Sequence, residues 1–205
     1  MKKLAFGFLV PVLLSACGQT TVNGRVNIGI STNDAASQVT VTKTVTAPTV
    51  DDKGNVTKPG STTFSSSTAG SVRFVFTARP GSDAAYITGY RVTRYIINGV
   101  DVTGSEVLEQ KKMNLYIGSG FNCAERTASD SCSPNGTNLT PANGLPSSEV
   151  LVSFASALIP VVQQTQAAAY STVDLEFIGT SSNGAPVVLP VSGISSDGYF
   201  NLVNN

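Results

Sequence analysis

Around Phe177 the chain reads STVDLEFIGTSS, with Val173, Leu175 and Phe177 alternating with Asp174 and Glu176, and Asn183-Gly184 then turns it into APVVLPVSGIS. Side chains of an extended strand point to opposite faces in turn, so this two-residue period demands a strand with one buried face. Asn-Gly between two such runs predicts a hairpin. The period recurs at 22–31 (Val22, Val26, Ile28, Ile30), at 38–46 (Val39, Val41, Val45) and at 72–78 (Val72, Phe74, Phe76, Ala78). It returns at Tyr90 and Val92, set against Arg91 and Thr93. Shorter strands are expected at 100–102, after Asn98-Gly99, at 113–118 and at 149–154. Pro186 and Pro190 cannot donate to a ladder, which places the second strand of the final hairpin at an edge. Pro160 followed by VVQQTQAAA predicts one short helix near 160–168. The fold class expected is all-β: an antiparallel β-sandwich of seven to nine strands joined by polar turns.

The periodic stretches also suggest an organisation. Residues 22–46 read as an N-terminal hairpin, its two strands joined by the turn STNDAAS. From 47 to 70 the alternation dissolves into Ser, Thr, Pro and Gly, which predicts a long loop or linker. Residues 71–203 then form the main sandwich, interrupted by a long loop at 119–147.

The amino-terminal stretch obeys a different rule. Lys2 and Lys3 precede an apolar run from Leu4 to Leu14, broken only by Gly7 and Pro11. Such a run is too short to span a bilayer as a helix, which needs about 20 apolar residues, and it has the length of a secretory h-region. Small residues Ser15 and Ala16 follow, and then Cys17. Leu14-Ser15-Ala16-Cys17 resembles the lipobox of bacterial lipoproteins. The resemblance implies a signal peptide at 1–16, cleavage before Cys17, fatty acylation of that cysteine and a short tether at 17–21. Two or more acyl chains hold a protein firmly on a membrane where one is marginal. Gly18, which is not acidic, implies by the same resemblance an outer-membrane destination. The competing reading is an ordinary secretory signal with a cysteine near the cut.

Export bears on the remaining cysteines. Cys123 and Cys132, in FNCAERTASDSCSPNG, form an even pair, which in an oxidising compartment predicts a disulfide stapling the 119–147 loop. Two thiols with no histidine are a poor zinc site, so no metal is expected there. Loss of residues 1–16 removes Lys2 and Lys3 from the 13 basic residues, leaving 11 against 13 acidic ones. That is not the basic footprint of a nucleic-acid binder. Histidine is absent from the chain, which rules out Ser-His-Asp and Cys-His nucleophile systems and imidazole metal sites.

SVRFVFTARP followed by ITGYRVTRY resembles the second and third strands of fibronectin type III and related immunoglobulin-like domains. The resemblance implies an immunoglobulin-like sandwich, with Phe76 where that family carries a buried tryptophan. The insertion from 104 to 148 departs from the family's pattern.

Three groups of residues invite chemistry. Tyr90, Arg91, Arg94 and Tyr95 can form a cation–π binding surface, although such residues also simply cover sheets. Asp51, Asp52 and Asn55 around Gly54 suggest calcium, but lack the closing glutamate of an EF-hand loop and read as a solvated turn. Asp174 and Glu176 share a strand face and can do acid–base work only with a partner from another strand. No catalytic residue, cofactor or metal is assigned. The expected function is a non-catalytic lipoprotein held to the membrane through Cys17 and docked on a protein assembly of the cell envelope. The alternative is a lipoprotein that binds a small ligand or glycan through the loops near 119–147.

Overall fold

The computed structural model describes residues 25–33, 37–104, 109–124, 126, 132 and 138–204. The signal peptide, Cys17, the tether and the start of the first expected strand therefore lie outside the described residues, as does much of the loop between the two later cysteines.

Strands β1 (Ile28–Asn33) and β2 (Ser37–Thr46) are followed by the short strands β3 (Thr49–Val50) and β4 (Val56–Lys58), then by β5 (Ser61–Ala69) and β6 (Val72–Ala78). The long β7 (Ala85–Ile97) turns at Asn98-Gly99 into β8 (Val100–Asp101). Both turn residues have positive φ, 49° and 82°, the conformation a two-residue hairpin turn requires. Strands β9 (Lys111–Ile117), β10 (Phe121–Asn122), β11 (Thr140–Pro141) and β12 (Val150–Val152) come next. A 3₁₀ turn at Ala155–Leu158 leads into helix α1 (Ile159–Thr165), then β13 (Ala169–Ser181) and β14 (Pro186–Asn204). Pro160 sits in the first helical turn, where its missing N–H has no intrahelical acceptor to satisfy.

The fold is predominantly β with one short helix. Its main sheet is curled and open, a half-barrel with strand order β5-β2-β14-β13-β7-β8, and β9 also pairs β7. A second sheet of order β1-β6-β12 shares one core with it. Phe177 of the main sheet stands edge-on to Phe74 and Phe76 of the second, at 5.1 and 4.9 Å between ring centres. All three rings are fully buried, and aromatic pairs in this geometry add roughly 0.5–1.5 kcal/mol each beyond their buried area.

Three expectations need correction. Residues 22–46 do not make a hairpin, because β1 pairs antiparallel with β6 while β2 pairs with β5 and β14. β1 buries Ile28 and Ile30 in one core, and β2 buries Val39 and Val41 in another. Residues 47–70 are not a linker, since β5 pairs with β2 over nine residues, from Ser61↔Thr46 to Ala69↔Gln38. The ladders are not all antiparallel, because Ser196–Asn204 of β14 runs parallel to Ser37–Val45 of β2. More strands form than the seven to nine expected, since two- and three-residue strands carry no periodic signature.

β14 reconciles its prolines with a central place in the sheet. Its first half, Pro186–Ile194, pairs only with β13 among the described residues, so a missing N–H there disturbs no second ladder. Ser196–Gly198 are flanked on both sides, by β13 and β2, and from Tyr199 to Asn204 the strand pairs with β2. Between the halves, Ser192 and Gly193 together oppose Asp174 in a β-bulge. Gly193 has φ 77°, a conformation glycine adopts without steric cost. The Asp174 carboxylate accepts the Gly193 N–H at 2.9 Å.

A second, smaller core forms where the helix lies on the main sheet: Leu158 and Val162 pack with Val39, Val41 and Ala169. Gly198 lets the helix come close, since a Cβ there would stand 2.7 Å from a methyl of Val162. Ser37 anchors the 3₁₀ turn. Its fully buried Oγ accepts the N–H groups of Phe154 and Ala155, each at 3.2 Å, and shares a hydrogen bond with Ser153 Oγ at 2.9 Å. No side chain of the turn itself caps it, so a distant strand supplies the acceptor that a local N-cap residue would.

Candidate functional site

Strand β7 carries two irregularities that decide which of its side chains meet. Against β13, Ile87 opposes Gly179 and Gly89 opposes Ile178, so Thr88 is an extra residue. Val92 opposes Leu175 and Arg94 opposes Asp174, so Thr93 is another. Each extra residue resets the in–out alternation. As a result Tyr90, Val92 and Tyr95 share the inner face, although 92 and 95 differ in parity. Arg91 and Arg94 fall on the outer face.

The four residues expected to form one surface are thus divided. Arg91 donates from Nε (3.1 Å) and Nη2 (2.9 Å) to Glu176 Oε2 on β13. Arg94 Nε donates to Asp101 Oδ2 at 3.2 Å on β8. Both pairs are substantially exposed, and such pairs contribute about 0–1 kcal/mol each. Thr103 hydrogen bonds, with Arg94 adding to them, hold the Asp101 carboxyl below its usual range. Glu176 and Asp174 are occupied by Arg91 and by the Gly193 bulge, which accounts for both as parts of the sheet. Asp51 caps its own turn: Oδ1 accepts the N–H groups of Lys53 and Asn55, and Oδ2 the Asn55 amide. Those Asn55 bonds lower the Asp51 pKa. Among the described residues no three His, Cys, Asp or Glu side chains gather as a metal site would need.

The inner-face tyrosines line a cleft of about 200 Å³. Its walls are Tyr90, Val92 and Tyr95 of β7, Phe154 and Ala157 of the segment entering the helix, with Ser153 and Ser156 beside them. Glu109 and Lys111 stand at the mouth, paired with each other at 3.0 Å. The Tyr95 hydroxyl donates to the Phe154 carbonyl at 3.3 Å, tying β7 to the wall opposite. Burial pushes the Tyr95 phenol up, and it does the same to Tyr90, offset in part by the nearby Lys111 charge. Both phenols therefore stay neutral at ordinary pH. Aromatic faces, serine hydroxyls and one rim ion pair are recognition chemistry: they can stack a ring or an aliphatic face and orient a few hydroxyls. Sequence reasoning reached Tyr90 and Tyr95 but not Phe154, Ser153 or Ser156, which lie in a segment without periodicity.

The stapled loop holds a different place. Cys123 and Cys132 are disulfide-bonded, with Cα atoms 5.8 Å apart. The Arg126 guanidinium donates to the carbonyls of Phe121 (3.0 Å) and Asn143 (2.8 Å), drawing the two ends of the loop together. Beyond it, Gly144 and Ser147 donate their N–H groups to Ala78 and Phe76 and so continue the edge of β6. A second cavity of about 240 Å³ lies between Arg25, Asp83, Ser119, Phe121 and Leu139. The buried Asp83 carboxylate there meets Arg25 at 3.4 Å and accepts the Asn183 amide at 3.3 Å.

Among the described residues no helix is long and apolar enough to cross a membrane. No family model matches this chain, and no curated protein matches it in sequence.

Proposed function

We propose that this chain is a lipid-anchored, non-catalytic interaction module of the bacterial cell envelope, held at the outer membrane through acylated Cys17. The lipobox Leu14-Ser15-Ala16-Cys17 after eleven mostly apolar residues carries the reading. The two packed sheets sharing the Phe74–Phe76–Phe177 core fit an immunoglobulin-like sandwich, an architecture that serves adhesion and assembly. The exposed strand β5 supports a role in assembly, since an unpaired sheet edge is a template for another strand. The test is metabolic labelling with a fatty acid, followed by gentle detergent extraction and crosslinking mass spectrometry. Label on the wild type and none on Cys17→Ala is expected, with crosslinks to envelope protein. An unmodified Cys17 sulfur overturns the anchor, and a chain recovered alone and uncrosslinked overturns the assembly role.

The cleft lined by Tyr90, Tyr95 and Phe154 favours a second reading, a small-ligand-binding lipoprotein. Its ligand would be a neutral ring or sugar face seated against the aromatic walls, away from the loop at 119–147. A ligand-dependent rise in melting temperature that Tyr90→Ala abolishes is expected. A screen of sugars and aromatic fragments that leaves the melting temperature unmoved argues against it.

A further inference from the structure

Strand β5 ends the main sheet, and each of its nine residues is exposed. One side pairs with β2 in an unbroken register without a bulge. The other side faces no strand among the described residues. Natural sheets guard such edges with lysines, prolines, bulges or very short strands. The far side of this sheet follows that rule, since β9 opens with Lys111 and Lys112. Ser61–Ala69 breaks it: STTFSSSTA holds no charge and no proline, and no ionisable residue occurs between Lys58 and Arg73.

From this unguarded edge we infer that β5 pairs antiparallel with β5 of a second copy, joining two main sheets into one across a two-fold axis at Ser65. The inference deepens the assembly role proposed above by naming the partner. The choice of a second copy rests on self-complementarity. Outward N–H and C=O groups belong to alternate residues of a strand, so a symmetric pairing must set residues of like parity opposite each other. Centring it on Ser65 pairs all nine residues, Ser61 with Ala69, Thr62 with Thr68, Thr63 with Ser67 and Phe64 with Ser66. Hydroxyl-bearing cross-strand pairs of this kind are favourable, and no like charges are brought together. The two Phe64 rings become diagonal neighbours on the face of the sheet that carries Lys43 and Val41. Each already lies under a Lys43 ammonium, 5.9 Å from the ring centre, and covering this 39%-exposed ring adds apolar burial to the main-chain bonds. A second copy offers the same charge-free, unbulged strand, so no charge has to be desolvated when the two edges meet.

The test uses the full chain in mild detergent, with sedimentation velocity over a concentration series. The wild type is expected to reach twice the monomer mass by ~100 µM, within the range of ordinary weak association. Ser65→Lys and Ser65→Glu each place like charges across the axis and are expected to weaken self-association about tenfold, and mixing the two variants restores it. Unchanged circular dichroism excludes misfolding, and Ser65→Cys gives a disulfide-linked dimer under mild oxidation. A wild type that stays monomeric, or charge variants that associate as the wild type does, overturns the second-copy pairing. Crosslinks from β5 to a different envelope protein, with none between copies, overturn it while leaving the assembly role standing. Loss of acyl label at Cys17 removes the anchor but leaves the sedimentation result untouched.

Discussion

Ser37→Ala removes one oxygen and strands two donors. In the wild type that oxygen accepts the N–H groups of Phe154 and Ala155 and bonds Ser153 Oγ. Ser37 is fully buried, and the two N–H bonds to its Oγ are themselves buried, so water does not replace the acceptor they lose. Leaving a buried N–H unpaired costs about 1–3 kcal/mol. Two of them, at the start of a turn with no cap of its own, predict a loss of about 2–6 kcal/mol. With an m-value near 2 kcal/mol/M in urea, the unfolding midpoint falls by about 1–3 M. The control lies one strand away. Ser196 opposes Ser37 in the parallel ladder and is equally buried, yet its Oγ has no hydrogen-bond partner among the described residues. Ser196→Ala strands nothing and relieves a buried hydroxyl, so its midpoint stays level or rises. Urea unfolding followed by tyrosine fluorescence measures both variants side by side. Equal midpoints, or a Ser37→Ala loss below about 0.5 kcal/mol, the range of an inconsequential substitution, refute the claim that this serine is the remote cap of the turn.

Three further outcomes follow from the packing, the staple and the surface charges. Gly198→Ala sets a methyl 2.7 Å from Val162 and 3.3 Å from Leu158 and should cost about 1–3 kcal/mol by overpacking; pairing it with Val162→Ala should recover part of that loss in a double-mutant cycle. Replacing Cys123 and Cys132 with serine opens a loop of about ten residues, for which chain entropy gives a loss of about 2.7 kcal/mol, and a urea midpoint unmoved by reductant or by the double variant contradicts this. The Asp101 carboxyl should titrate below 3.8 by carbon-detected NMR, and Thr103→Val should raise it. Because its folded pKa is depressed, the stabilisation it provides is present above that unfolded value and lost as pH falls through the folded one.

What the sequence disclosed depends on which faces are buried. Val72–Ala78 and Ala169–Ser181 are plain in the amino-acid order because alternate side chains enter the Phe177 core. Ser61–Ala69 is as regular a strand, but with both faces in solvent nothing forces apolar residues into alternate positions, and it reads as a loop. Periodicity also identifies a strand without naming its neighbour, so the adjacent runs at 28–33 and 37–46 read as a hairpin when they belong to different sheets. Tyr90 and Tyr95 are an odd number of residues apart, and only the extra residue Thr93, the second of the two bulges in β7, brings them to one face. Those bulges answer the fit of β7 to β13 and leave no mark in the order of residues. The cleft's other wall is set by Ser37, more than a hundred residues away along the chain.

The late strand β14 occupies the middle of the main sheet, and this has a kinetic consequence. Residues 196–204 dock beside residues 37–45, a contact that closes a very long stretch of chain, and such closures slow folding. Until they arrive, the β2–β5 pair has one neighbour fewer and its apolar Val39 and Val41 lack part of their cover. A polypeptide emerging amino end first would therefore hold this ribbon in waiting, vulnerable to wrong partners, until the final stretch inserts and locks it in place.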